Sequence, residues 1–221
     1  MAVTNKRGIF SLLDVRERQA AGVWSTREDV WNAPSPFNSS SPAPFGYVAG
    51  GYPGPKLSVD RIDYSNDTAT ASPKGPLTIG RHYLASTGNS SFGYFAGGYA
   101  PSPGNFSTVD RVDYSSDTAT TSPKGPLSAA KRGLTATGNA SFGYFGGGFS
   151  PSTSVVDRID YSNDTATASP KGPLTALKRQ ISATGNADFG YFTMGGGDPV
   201  NRVDYSNDTA TALEKGDVTN G

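Results

Sequence analysis

At 221 residues the chain is long enough to bury a core, and its 28 glycines and 16 prolines, about a fifth of the residues, stand against only 35% apolar side chains. That balance favours a turn-rich β architecture over a helical one. Nineteen basic residues match nineteen acidic ones with no long run of either sign, which argues against nucleic-acid and anionic-membrane partners, and the absence of cysteine excludes disulfides, thiolate metal sites and a cysteine nucleophile.

The first 44 residues carry no repeat. MAVTNKRGIFSLLDVRERQ meets charge before any apolar run of useful length, so it reads as neither signal peptide nor membrane span, and we expect a soluble protein made in a cytoplasm. Ser11 and Asp14 form a capping pair, Phe10 can staple onto Val15 and Gly22 offers a stop, which predicts one short helix over Leu12 to Ala21. Trp24 and Trp31, the chain's two tryptophans, come next, and then the linker APSPFNSSSPAP. Either the helix covers an open end of the domain C-terminal to it, or Phe10, Leu12, Leu13, Val15, Trp24 and Trp31 form a docking peg for another protein. A helix this short is marginal in water without a surface to pack on.

From residue 45 to 221 the chain repeats. FGYVAGGY, FGYFAGGY, FGYFGGGF and FGYFTMGGG begin at Phe45, Phe92, Phe142 and Phe189, spaced 47, 50 and 47 residues apart. A second anchor comes after each, VDRIDYSNDTAT or a near copy, from Val59, Val109, Val156 and Val200. A third, SPKGPL, begins at Ser72, Ser122 and Ser169 and decays to LEKGDV at Leu213. The run DRIDYSNDTATASPKGPL occurs twice, from Asp60 and from Asp157.

Each unit is predicted to hold four strands. A basic-led strand over Arg132 to Thr137 is followed by the turn GNAS, and then by the apolar run Phe142 to Phe145, which stops at three glycines. VDRVDY alternates two faces, Asp110, Val112 and Tyr114 against Val109, Arg111 and Asp113, so one can be core and the other wet. Thr118 to Thr121 is a short β-branched strand, and SPKGPL leads out through two prolines. Four strands in 44 to 50 residues is the signature of a propeller blade. Residues 45–221 supply four copies of three strands but three of the basic-led one, fifteen where four closed blades need sixteen. The missing strand is expected from Val23 to Trp31 or from a neighbouring chain; otherwise the array stays open with edges that a partner must cover.

The acidic residues do not read as chemistry. Asp60, Asp63, Asn66 and Asp67 lack EF-hand spacing, and Asn-Asp-Thr is turn-forming, so a turn with ion pairs is expected in place of calcium, and Asp60 beside Arg61 suggests charge pairing between blades. His82 is the only histidine, which excludes multi-histidine metal sites and copper chemistry, and it is expected on the surface. No cofactor, metal or catalytic residue is assigned. Sequons at Asn38, Asn66, Asn89, Asn105, Asn139, Asn163 and Asn207 are read as turn asparagines. Tyr52, Tyr99 and Phe149 at the glycine-rich tips could pack structurally, or could stack on sugars, with repetition adding avidity.

The apolar run ending in GG, the alternating strand ending in Tyr, the polar turn and the basic positions Arg81 and His82, Lys131 and Arg132, Lys178 and Arg179 together resemble kelch repeats. Where kelch blades carry a tryptophan after the polar turn, this chain has Ala69 and Thr70, so its blades should be thin. FGYFGGG, DRIDYSNDTATASPKGPL and ATGNASFGYF, with the opening GIFSLLDVRERQAAGVW, also resemble repeat-bearing virion structural proteins of marine tailed bacteriophages, cyanophages in particular. That resemblance implies a non-enzymatic fibre, tail, neck or capsid-decorating component. Its implied setting is the virion, in multiple copies within a symmetric assembly beside other phage structural proteins. The expectation is therefore an all-β domain of four kelch-like repeats, displayed by an N-terminal docking segment; the alternative is a lectin-like module for cell-surface glycans.

Overall fold

In the computed structural model the described residues are 44–149, 151–177, 181–193 and 199–219. The helix expected over residues 12–21, and the docking set Phe10, Leu12, Leu13, Val15, Trp24 and Trp31, lie outside them, as does the strand expected over residues 23–31.

Four antiparallel meanders match the four sequence repeats. The first has three strands, β1 (Phe45–Ala49), β2 (Val59–Asp63) and β3 (Ser72–Pro73). The second runs β4 (Ala85–Gly88), β5 (Phe92–Ala96), β8 (Val109–Asp113) and β9 (Ser122–Lys124), and the hairpin of β6 (Tyr99–Ala100) and β7 (Gly104–Asn105) interrupts it. That hairpin explains the 50-residue spacing, since the three extra residues fall between Gly97 and Val109. The third comprises β10 (Thr135–Gly138), β11 (Phe142–Gly146), β12 (Val156–Asp160) and β13 (Ser169–Lys171). The fourth comprises β14 (Ser182–Gly185), β15 (Phe189–Thr193), β16 (Pro199–Asp204) and β17 (Leu213–Asp217). These four sheets hold fifteen strands, the number counted from the repeats but with a different segment as the last of each unit, and the first sheet is the one without the strand that follows the basic positions among the described residues.

The fold is all-β; a closed propeller is not shown. One strand assignment changes. Thr118 to Thr121 is not a strand, because Asp113 caps a 3-10 turn over Tyr114–Ser116 and the chain keeps turning through the Ala119 amide, which donates to the Ser116 carbonyl at 3.1 Å. The fourth strand is Ser122–Lys124, SPK, at the outer edge of its sheet, where the missing amide hydrogen of Pro123 leaves no partner unpaired.

Both faces of the sheets are covered. On β8, Val109, Asp110 and Val112 are all buried, so the strand expected to be wet on one side has a neighbour on each. The side holding Val59, Val109 and Val156, with Tyr47, Tyr94 and Tyr144 and with Leu77, Leu127 and Leu174, faces the following repeat. The side holding Phe95, Phe145 and Phe192, with Val112, Ile159 and Val203, faces the preceding one. Phe95 accordingly packs with Val59 and Leu77, and Phe192 with Tyr144, Val156 and Leu174. Val48 takes the same place in the first repeat and is 58% exposed.

One joint recurs three times. The Asp117 carboxylate of the second repeat receives three groups from the first: the Tyr47 hydroxyl at 2.9 Å, Arg61 Nη1 at 2.8 Å and Lys74 Nζ at 3.4 Å. Asp164 takes Tyr94, Arg111 and Lys124 at 2.9, 2.7 and 3.3 Å, and Asp208 takes Tyr144, Arg158 and Lys171 at 3.0, 2.7 and 3.5 Å. Beside each joint two tyrosines stack, Tyr47 on Tyr114, Tyr94 on Tyr161 and Tyr144 on Tyr205, with centroids 4.5–4.8 Å apart. Each arginine lies over the phenylalanine that opens its own repeat, with Arg61 4.0 Å from the Phe45 centroid. The amides of Gly75, Gly125 and Gly172 donate to the carbonyls of Asp117, Asp164 and Asp208 at 2.8–2.9 Å. A Cβ at any of these glycines would run into the carbonyl of Ala119, Ala166 or Ala210. The charge pairing between repeats thus goes through Arg61, as expected, but its acid is Asp117 and not Asp60.

Burial alone would raise the Asp117 carboxyl; hydrogen bonds from Tyr47 and Lys74, with the charge of Arg61, outweigh it and hold it below its ordinary value. Asp164 is lowered in the same way by Tyr94 and Arg111. Burial first, and then the bond to Asp117, pushes the Tyr47 hydroxyl up to about 12, and Tyr94 and Tyr144 rise for the same reasons.

Asp164→Ala strips one acceptor from three donors in a largely dry joint and is expected to cost about 2–4 kcal/mol in urea unfolding. Asp67→Ala, at the same turn position of the first repeat but exposed and without a partner among the described residues, should stay within about 0.5 kcal/mol. Equal losses would refute the joint. The same groups set the pH profile. A lowered carboxyl contributes stability above its unfolded value of about 3.9 that disappears as pH falls through the folded value, and a raised tyrosine contributes stability below about 10 that is lost as pH rises beyond it. Thermal midpoints should therefore be flat between these limits and fall on both sides, with the alkaline fall reduced in Tyr94→Phe.

Candidate functional site

The recurring polar residues form joints, and the tips of the repeats hold the three aromatics singled out as possible glycan contacts. β1, β5 and β11 each end in a glycine pair at positive φ, 70° and 140° at Gly50 and Gly51, 67° and 108° at Gly97 and Gly98, and 65° and 135° at Gly147 and Gly148. These angles turn the chain sharply and let it lie against the backbone of the next basic segment, as in the bonds from Gly51 to the Arg81 carbonyl and from Gly98 to the Lys131 carbonyl. The aromatic after each pair, Tyr52, Tyr99 or Phe149, is thereby delivered to one edge.

The three tip aromatics proposed from sequence come together in one row, and the basic positions connect them. The His82 ring meets Tyr52 edge-on at 5.9 Å, Tyr83 edge-on at 4.7 Å and Tyr99 at 5.4 Å. The Arg132 guanidinium lies 4.1 Å from the Tyr99 centroid and 4.7 Å from that of Phe149. The order is Tyr52, His82, Tyr99, Arg132, Phe149, aromatic and cationic groups in alternation, with Tyr83 flanking His82. The backbone fixes the spacing, because His82 and Tyr99 exchange both amide bonds at 2.8 and 3.0 Å and the Phe149 amide donates to the Arg132 carbonyl at 2.7 Å. Such a surface can stack a planar or apolar ring face while its polar edges meet hydroxyls.

The members differ in exposure. Tyr52 is 78% exposed and Tyr83 53%, whereas Tyr99 and Phe149 are half-buried. His82 is buried and not on the surface as expected, since three tyrosine rings enclose it; its Nδ1 has no hydrogen-bond partner. Sequence reasoning missed Tyr83, which holds φ of 58°, the only described non-glycine residue at positive φ. Its signal was the third aromatic-basic neighbour in Arg81-His82-Tyr83, where the next repeat has Lys131-Arg132-Gly133 and Gly133 takes φ of 61°.

The other candidates resolve into structure. Asp63 accepts from the Ser65 amide and hydroxyl at 2.9 and 2.6 Å, and Asp113, Asp160 and Asp204 repeat the pattern. Those serine bonds hold all four carboxyls below their ordinary value. Among the described residues no three acidic or histidine side chains converge on a metal position. Asp110 is spent on Arg81, at 2.8 Å, and on the Thr78 hydroxyl, at 2.7 Å. Asp157 is likewise paired with Lys131, whose Nζ lies 2.9 Å from Oδ2. The sequon asparagines Asn89 and Asn139 use Oδ1 to accept two backbone amides each, and Asn186 in GNAD, which is no sequon, does the same. The asparagine is there for the turn.

No family model matches the chain, and no curated protein matches it.

Tyr83→Gly removes the exposed ring but takes the left-handed backbone without strain, so the thermal midpoint should barely change. Tyr83→Val places a β-branched residue at that φ and should cost about 1–2 kcal/mol. Equal stability of the two variants in thermal melts would show that the backbone at this position carries no strain.

Proposed function

We propose that this chain is a non-enzymatic structural protein of a phage particle, a fibre, tail, neck or capsid-decorating component, attached by residues 1–44 and displaying its repeat domain outward. One observation carries the non-enzymatic reading. Asp117, Asp164 and Asp208, and the tyrosines, arginines and lysines that recur with them, are consumed in joining one repeat to the next, and each occurs in equivalent surroundings. A reaction centre needs a set of groups that breaks the repeat, and the acids here keep to it. The virion assignment rests on the resemblance of the repeat strings and of GIFSLLDVRERQAAGVW to marine phage structural proteins, and the kelch-like reading on the repeat length and strand order.

Display needs a contact surface, and the tip row supports a second role, adsorption to cell-surface glycans. Tyr52 and Tyr83 present exposed faces beside His82, and Arg132 fixes the neighbouring rings, so little side-chain entropy is lost on binding.

Two experiments separate the roles. A chain lacking residues 1–31 should stay folded and vanish from assembled particles; normal incorporation would sink the attachment role. The full-length chain on a glycan array should bind a subset of surface glycans, with Tyr52→Ala and Tyr83→Gly each weakening binding about tenfold, the size expected for losing one aromatic stacking contact. Binding unchanged in both variants would remove the tip row from recognition.

A further inference from the structure

The three internal joints leave two half-joints at the ends of the array. On the outer side of the first repeat, Tyr64 stands where Tyr114, Tyr161 and Tyr205 stack on a preceding tyrosine, and it is 60% exposed. Asp67 there is exposed and, among the described residues, receives no donor, whereas its counterparts Asp117, Asp164 and Asp208 are buried. On the outer side of the fourth repeat the complementary set is present. Tyr191 faces Arg202 in the β15–β16 register as Tyr144 faces Arg158, and the Arg202 guanidinium lies 4.4 Å from the Phe189 centroid, the pose of the three arginines that grip an aspartate. Lys215 occupies the position of Lys74, Lys124 and Lys171, exposed and without an acid among the described residues.

Gly216 points the same way. At Gly75, Gly125 and Gly172 the lack of a side chain is needed because the next repeat's alanine carbonyl occupies the space. A Cβ placed on Gly216 would meet nothing within 4 Å among the described residues. LEKGDV has lost both prolines and the leucine of SPKGPL yet keeps the lysine and the glycine, whose side chain and amide reach across the joint in the other repeats.

We propose that the chain assembles head to tail, Tyr191, Arg202 and Lys215 of one copy closing on Tyr64 and Asp67 of the next through the joint that links its own repeats. The occupant is a second copy because the charges and rings of the two ends match each other. Asp67 supplies one carboxylate to Arg202 and Lys215, Tyr64 supplies the ring for Tyr191, and the Ala69 carbonyl fills the space at Gly216. Val48, 58% exposed at the first end, would be covered as Phe95, Phe145 and Phe192 are inside the array. Such a joint is heterologous, so it propagates into a ring or a filament. The match between the two ends holds whether or not the chain belongs to a virion.

The full-length chain, measured by light scattering over a concentration series, should show species heavier than its 23.0 kDa monomer. Asp67→Ala removes the acceptor of one half-joint and Arg202→Asp reverses a donor of the other, so each variant alone should be monomeric with the circular dichroism of the parent. Mixing them should yield a two-chain species and nothing larger, because one intact half-joint remains on each. A parent that stays monomeric throughout, as it would if residues 1–43 or the chain's own far end filled the half-joint, overturns the proposal. So does assembly that persists in either single variant, or a mixture that fails to pair.

Discussion

An aspartate at the end of a polar turn, reached by three donors from the neighbouring repeat, is the interaction on which this array depends. No sheet is more than four strands wide and the strands are at most six residues long. Apolar burial across such a thin layer would hold two sheets together without fixing how they slide or rotate. A carboxylate that must meet a hydroxyl, a guanidinium and an ammonium group at once does fix it, since a shift of one residue leaves charges unpaired in a dry interface. The stacked tyrosines and the glycine amide act at the same place, so that polar, aromatic and backbone terms agree on one register.

Because each joint has a donor side and an acceptor side, the array has direction. No repeat can satisfy both of its own faces, and stability is built from nearest-neighbour terms. The first and last repeats therefore differ from the inner ones in kind. Tyr64 is exposed where Tyr161 and Tyr205 are buried, with no difference in residue type to account for it. Position in the array alone sets their environments.

Much of this was legible in the chain. The period, the order of the first three strands of a unit and the use of Arg61 between repeats can be read from the spacing of FGYF, VDRVDY and SPKGPL. What failed had a common cause. Reading VDRVDY as half wet assumed a single neighbour, and reading SPKGPL as an exit assumed a central position in the sheet; both depend on what packs alongside, which periodicity does not encode. His82 looked exposed because a lone histidine at a basic position carries no sign of the three tyrosines that surround it, two of them from other strands or loops. The tip row was half legible. Its aromatics were named, but the residues that join them, His82 and Arg132, were read only as a repeat position.

The proposed recognition falls at the tips because the constant and variable positions of the repeats divide there. Changing a joint residue costs stability on both sides of an interface, so the joints of all four repeats stay nearly identical: Tyr, Arg and Lys on one side, Asp and Tyr on the other. The tips carry no such constraint, and there the repeats diverge into YPGPKLS, YAPSPGNFST and FSPSTSV after their glycines, and into Arg-His-Tyr and Lys-Arg-Gly at the basic positions. The divergence places a strained, exposed Tyr83 next to Tyr52 in one unit only. An array whose ends are reserved for joints and whose core is reserved for packing leaves this edge as the surface on which the chain can change its contacts without changing its fold.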